Sequence, residues 1–308
     1  MSERQGPHAQ PALAGSRRLE IRAGDGTVLV AHVFPNPRAS RRLVVSHGNG
    51  MATPGYRVFW RELQADFEVV VFDMRGHGAS QPGPSALHAW GQFVQDLQSL
   101  CDTLRQEDRR PLVGGFHSLS AVTSLLHLRK CAVPPWQSLV LFDPPLTPPE
   151  EHPLARQHQQ EMTSLAASAL RRPRTHASVQ DKARQFMREE IFGLWAEGAP
   201  MDMAHATLVP DALAGWRLAC DPVREATIFE ANHHPGVWEV LADPACPIAL
   251  VSGDPQLPQA RCPALTSRLT HERTGLPWHP VAGTGHFLQL ESPRECASAL
   301  MRFVPDSH

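Results

Sequence analysis

The chain has 308 residues, a formal net charge of -2, and 42% apolar against 19% charged residues. That balance belongs to a folded globular protein, and no run of 18 apolar residues marks a membrane-spanning helix. The near-neutral charge, without a basic stripe, argues against nucleic acid as a partner, and the length fits two units of about 150 residues or one large domain carrying an insertion.

The N-terminal stretch MSERQGPHAQPALAGSRR is polar and lacks the apolar core of a secretory signal. Residues 1–16 are therefore expected to be a disordered tail on a cytoplasmic protein. Alternating runs at 18–23 and 27–34, joined by Asp25-Gly26, predict a β-hairpin. Short apolar runs at 43–45, 69–72, 112–113, 139–142 and 248–251 predict buried strands. Between them, Tyr56, Phe59, Trp60 and Leu63 mark one helical face. Phe93, Leu97, Leu100, Cys101 and Leu104 mark a second, and Val122, Leu125, Leu126 and Leu128 a third. Strand–helix alternation of this kind predicts a parallel sheet covered on both faces. Such sheets carry their chemistry at the C-terminal ends of the strands.

The alternation stops after Pro144. Residues 146–240 read as helical or irregular with no clear strand, which predicts a helical cap inserted into a core of residues 17–145 and 241–308. The cap carries Arg171, Arg172, Arg174, Lys182, Arg184 and Arg188, expected on a solvated helix face. The six cysteines, Cys101, Cys131, Cys220, Cys246, Cys262 and Cys296, are scattered without a C-x-x-C pair. They predict free thiols rather than disulfides or zinc. His233-His234 has no supporting ligand spacing, and no metal is expected.

Three stretches carry chemistry. GGFHSLSA (114–121) follows a strand and opens a helix. A serine at such a corner has an exposed hydroxyl, and the next backbone N–H faces a developing anion. Ser118 is thus the candidate nucleophile, with the Leu119 N–H as an oxyanion donor. The bland alternative is a helix-capping serine, and Ser120 is the second choice. SHGNG (46–50) places a Gly-rich turn after another strand, where the Asn49 N–H is the expected second donor. AGTGHFLQLESP (282–293) places His286 in a Gly-rich loop after the last strand. A serine hydroxyl needs a base with a pKa near the working pH, and imidazole suits that.

HGNG, DMRGHGAS (73–80), HSLSA and GTGHF in this order resemble the α/β-hydrolase family. The resemblance runs from about residue 18 to 304. It implies an eight-stranded, mostly parallel sheet with helices on both faces, and a Ser…acid…His triad in that chain order. The family corner is Gly-x-Ser-x-Gly. Here Phe116 and Ser120 flank Ser118, and the bulk of Phe116 is expected to disturb the turn. Two carboxylates compete for the acid. Asp143, in LVLFDPP after the sixth strand, is preferred, and Asp254, in SGDPQLP after the seventh, is the second choice. An SHxNG loop, an Asp-Pro after the sixth strand and the segment WRLACDPVREATIF (216–229) are similar to a subfamily that includes acyl-CoA hydrolases. Asp73 and Asp221 read as loop-bracing groups.

The expectation is a cofactor-independent serine hydrolase that cleaves a carboxylic ester or acyl thioester through an acyl-enzyme. Its partner is a small-molecule substrate, not a membrane, and the chain is monomeric or homodimeric. His47, Gly48, His117, Trp195 and Trp216 are the candidate substrate-contacting residues. C–C bond hydrolysis, perhydrolysis, and a non-catalytic ligand-binding protein on the same fold are the alternatives. Dehalogenase or epoxide hydrolase chemistry is disfavoured because those relatives carry Asp at the Ser118 position.

Overall fold

The computed structural model describes residues 13–189 and 192–305. Most of the expected tail, residues 1–12, lies outside the described residues. Residues 13–16 form a turn in which the Ser16 hydroxyl donates to the Leu13 carbonyl at 2.7 Å. Six strands follow: β1 (Arg17–Arg22), β2 (Val28–Phe34), β3 (Arg42–Ser46), β4 (Glu68–Asp73), β5 (Leu112–His117) and β6 (Trp136–Phe142). The insertion contains β7 (Thr175–His176), β8 (Leu208–Asp211) and β9 (Gly215–Leu218), and β10 (Ile248–Ser252) and β11 (Trp278–Pro280) complete the set. The main sheet has the order β1-β2-β4-β3-β5-β6-β10-β11. Only the β1–β2 and β2–β4 pairs are antiparallel. The hairpin turns where expected: Gly26 takes φ +83° and the Asp25 carboxylate accepts the Thr27 N–H at 3.0 Å.

Side chains alternate along each buried strand, and this divides the core into two layers. Val44, Val70, Phe72, Leu139, Leu141 and Leu250 pack on one face, against the helices Trp90–Glu107 and Leu119–Lys130. Leu43, Val45, Val69, Val71, Val140 and Val251 pack on the other, with Phe59, Leu63 and the helix Pro293–Phe303. The register places Ser46 beside Phe116, and His117 beside Phe142. Residues 47, 118 and 143 therefore leave the sheet side by side at its C-terminal edge.

The insertion is not purely helical. Helices Leu154–Leu170, Val179–Arg188, Ala199–Thr207 and Pro222–Glu230 accompany a three-stranded antiparallel sheet, β7-β9-β8. Its strands have two to four residues, and β8 contains Pro210, too short and too interrupted for a two-residue period to register. The cap cations also divide. Arg171, Arg174, Arg184 and Arg188 are exposed. Lys182 is buried with its Nζ 4.4 Å from the Phe186 ring centroid, and burial pulls its pKa to about 7. No helix among the described residues is long and apolar enough to cross a membrane.

Phe116 does not disturb the turn at Ser118. Its ring is fully buried on the β5 face and meets the Trp136 ring edge-on at 5.2 Å. Room for it comes from Gly114, two residues back on the same face: a Cβ there would lie 2.4 Å from the Phe116 ring. Gly114→Ala is expected to destabilise the fold by about 1–3 kcal/mol through overpacking, measured by denaturant unfolding, with part of the loss restored by adding Phe116→Leu. An unchanged midpoint for Gly114→Ala would remove this explanation.

Candidate active site

Ser118 sits between β5 and the helix Leu119–Lys130 with φ +51° and ψ -110°, a conformation that costs L-residues of order 1–3 kcal/mol. Its N–H donates to the Phe142 carbonyl at 3.0 Å. Its hydroxyl makes no capping bond, which removes the helix-cap reading. Ser120 takes the local bracing role instead: its hydroxyl accepts the His117 N–H at 3.0 Å and donates to the His117 carbonyl at 2.9 Å.

Asp143, on the turn after β6, has φ +44° and is fully buried. Its N–H donates to the Val251 carbonyl at 2.8 Å, and its Oδ1 accepts the Gly253 N–H at 3.1 Å. Its Oδ2 lies 2.6 Å from His286 Nδ1, and His286 Nε2 lies 3.1 Å from Ser118 Oγ. Burial lowers the imidazole pKa to about 4, so the ring rests neutral, with the nearby Arg261 and Glu161 charges acting on it in opposite senses. Burial pushes the Asp143 carboxyl up, and the Gly253 N–H works against that. Asp254, the alternative acid, makes no hydrogen bond to His286 among the described residues. Its two oxygens accept the N–H groups of Gly283 and Gln256, both at 2.9 Å, which holds the carboxyl below its ordinary range and braces the loop leading to His286.

Sequence reasoning missed Glu291. Its carboxylate accepts the N–H groups on both sides of the imidazole, Gly285 at 2.5 Å and Phe287 at 3.2 Å, and so fixes the His286 backbone. The position five residues beyond His286 was the available signal.

The 47–51 loop is held through its backbone. Gly48 N–H donates to Tyr56 Oη at 3.3 Å, Gly50 N–H to His77 Nε2 at 3.1 Å, and Met51 N–H to the Gly48 carbonyl at 3.1 Å. The N–H groups of Asn49 and Leu119 have no hydrogen-bond partner among the described residues. Gly48 permits close approach, since a Cβ there would lie 3.2 Å from the Ser118 Cβ. Gly50, at φ +74°, leaves space for the cap ion pair Arg172–Glu225, and the Asn49 amide donates to the Glu225 carbonyl at 2.8 Å. On the other side of the site, Glu161 of the cap pairs with Arg261 at 2.6 Å.

Several expected substrate contacts prove to be braces. His47 is fully buried and spends both ring nitrogens on backbone, Nδ1 with the Gly48 carbonyl and Nε2 with the Met74 N–H. His117 is likewise buried, between Tyr56 Oη and the His286 carbonyl. The Gly48 N–H is already used by Tyr56. Trp195 belongs to an aromatic cluster with Phe192 and Phe287, and Phe287 lies against the His286 ring at 5.3 Å. Trp216 lines a separate cleft of about 1160 Å³, walled also by Phe34, Arg57, Trp60 and His205, which does not include Ser118, Asp143 or His286. Asp73 accepts the Thr53 and Ala79 N–H groups, and Asp221 caps the helix Pro222–Glu230.

The sequence pattern of the Alpha/beta hydrolase family matches residues 43–299. The chain is an α/β hydrolase. It is 23% identical over 289 residues to Esterase YbfF of Escherichia coli (strain K12), covering 90% of this chain and 98% of that one. Among solved structures, E-2-(acetamidomethylene)succinate hydrolase superposes with a TM-score of 0.73 at 19% identity, covering 94% of this chain and 99% of that one. The thioesterase domain from the curacin biosynthetic pathway gives 0.70 at 20% identity, covering 93% and 99%. These α/β hydrolases share the fold with this chain.

The strain at Ser118 yields a stability prediction. Ser118→Gly removes the left-handed penalty, whereas Ser118→Ala keeps it. Ser118→Gly is expected to be the more stable of the two by about 1 kcal/mol, read from denaturant midpoints, and equal midpoints would mean the corner is unstrained.

Proposed function

We propose that this α/β hydrolase is a serine hydrolase that cleaves a carboxylic ester or acyl thioester through an acyl-enzyme. The observation that carries the reading is the unbroken hydrogen-bonded line from the Asp143 carboxylate through the His286 ring to the Ser118 hydroxyl.

His286 Nε2 takes the Ser118 proton as Oγ attacks the acyl carbon, and Asp143 holds the imidazolium that forms. Charge moves to the former carbonyl oxygen, where the free N–H groups of Asn49 and Leu119 stabilise it. The imidazolium then returns its proton to the departing alcohol or thiol. A water, deprotonated by His286, attacks the acyl-enzyme, and the second tetrahedral intermediate collapses to the carboxylic acid with Ser118 restored. Each N–H donor of this kind contributes on the order of 10²–10³ in rate.

The E. coli esterase and the thioesterase domain lend support to the two substrate classes. The thioester reading draws further support from the sequence likeness to acyl-CoA hydrolases and from the exposed cations Arg171 and Arg188 at the cap surface, which suit phosphate groups. A KM for acyl-CoA that rises with salt, beside a salt-independent KM for uncharged esters, distinguishes thioester from simple ester.

With p-nitrophenyl esters, Ser118→Ala is expected to abolish turnover and Asp143→Asn to reduce kcat by about 10³–10⁴. Asp254→Asn should stay within about threefold of the parent. A larger loss for Asp254→Asn than for Asp143→Asn would reassign the acid. The pH profile gives a further check. Only the neutral imidazole accepts a proton, so kcat/KM rises as pH climbs through the His286 pKa and is flat above it. Burial lowers that pKa, so the acid limb is expected below the ordinary 6.5 in the parent; an acid limb that persists unchanged in His286→Gln contradicts the assignment.

A further inference from the structure

We propose that Tyr56 and His117 form a positioning pair, a one-directional hydrogen-bond chain that ties the oxyanion loop to the backbone of the catalytic base. The proposal rests on the reading of Ser118 as nucleophile and extends it to two residues that touch no reacting atom.

The direction of the chain follows from its partners. His117 Nε2 lies 2.9 Å from the His286 carbonyl, which can only accept, so Nε2 carries the proton. The ring is fully buried, its hydrogen-bond partners among the described residues include no carboxylate, and burial holds it neutral. Its Nδ1 is therefore an acceptor, and the Tyr56 hydroxyl 2.8 Å away donates to it. Tyr56 Oη in turn accepts the Gly48 N–H at 3.3 Å. The sequence of donors runs Gly48 N–H, Tyr56 O–H, His117 Nε2–H, and ends on the carbonyl of His286.

Both ends are mechanistically placed. Gly48 immediately precedes Asn49, whose N–H is free, and His286 carries the base. Tyr56 is itself fully buried and is the only tyrosine of the chain. Two apolar rings would fill this volume without burying three polar atoms, each of which demands a partner. The polar pair instead fixes the distance between the oxyanion donor and the base. A shift of about 1 Å at such a site costs about 10²-fold in rate.

The test uses the full chain, a short p-nitrophenyl ester and a fluorophosphonate that labels the nucleophilic serine. Tyr56→Phe, which removes one oxygen, is expected to lower kcat by about 10- to 100-fold with KM within about twofold, and to slow Ser118 labelling in the same ratio. His117→Gln keeps one acceptor and one donor and should retain activity within about fivefold, whereas His117→Leu should match Tyr56→Phe. Combining Tyr56→Phe with His117→Leu should cost little beyond either change, because they break one chain. If Ser118→Ala is inactive while Tyr56→Phe keeps its kcat and labelling rate, the pair has no positioning role and the nucleophile stands. His117→Gln as slow as His117→Leu also overturns the proposal, and does so even if Tyr56→Phe fails to fold. Full turnover and labelling in Ser118→Ala would sink the nucleophile and this inference together.

Discussion

The constraint on which the site depends is left-handed backbone at two corners of a parallel sheet. Among the described residues, Ser118 and Asp143 are the only non-glycine residues with positive φ. Each follows a buried strand, and neighbouring strands pin them: the Ser118 N–H to the end of β6, the Asp143 N–H to the end of β10. Strain of this size persists only where the surroundings over-determine the conformation. Here two layers of alternating apolar side chains hold the strands in register, and the corner geometry follows from that register.

Three neutral imidazoles then organise what the sheet brings together. His47, His77 and His117 all lie in the interior, and burial lowers each pKa, His77 to about 4. Each neutral ring offers one donor and one acceptor, and each is spent on loop backbone or on Tyr56. Of the N–H groups that flank Asn49, that of Gly50 is accepted by His77 and that of Gly48 by the Tyr56 hydroxyl, and the Asn49 N–H remains open. A loop of ordinary composition thereby presents one donor in one direction. Among the hydrogen bonds between cap and core are those of Glu225 with Asn49 and of Glu161 with Arg261.

Much of this was legible in the sequence because the signals are local. Apolar runs announced the parallel strands, and Asp25-Gly26 announced the hairpin. The segments carrying Ser118, His286 and Asp143 each follow a strand, where family resemblance and chemistry agree. Position along the chain does not give the direction of a side chain, and this is why His47 and His117 read as substrate contacts although the ring nitrogens of His47 are spent on backbone and those of His117 on the Tyr56 hydroxyl and the His286 carbonyl. Tyr56 escaped notice as a site residue because its partner is set by the fold, a histidine 61 residues away; Glu291, whose partners are backbone N–H groups only four and six residues back, was overlooked although its signal was local. Phe116 was misjudged because its compensation, the empty space at Gly114, is a packing fact that a motif comparison does not contain. The cap strands were too short to show a period.

The most direct measurement of the account is a crystal structure of the chain after reaction with a small fluorophosphonate. The account predicts a covalent bond to Ser118 Oγ, with the phosphonyl oxygen about 2.7–3.1 Å from the N–H groups of both Asn49 and Leu119 and the His286 ring still on Asp143. An adduct on another residue, or a phosphonyl oxygen turned away from the 47–51 loop, would contradict it.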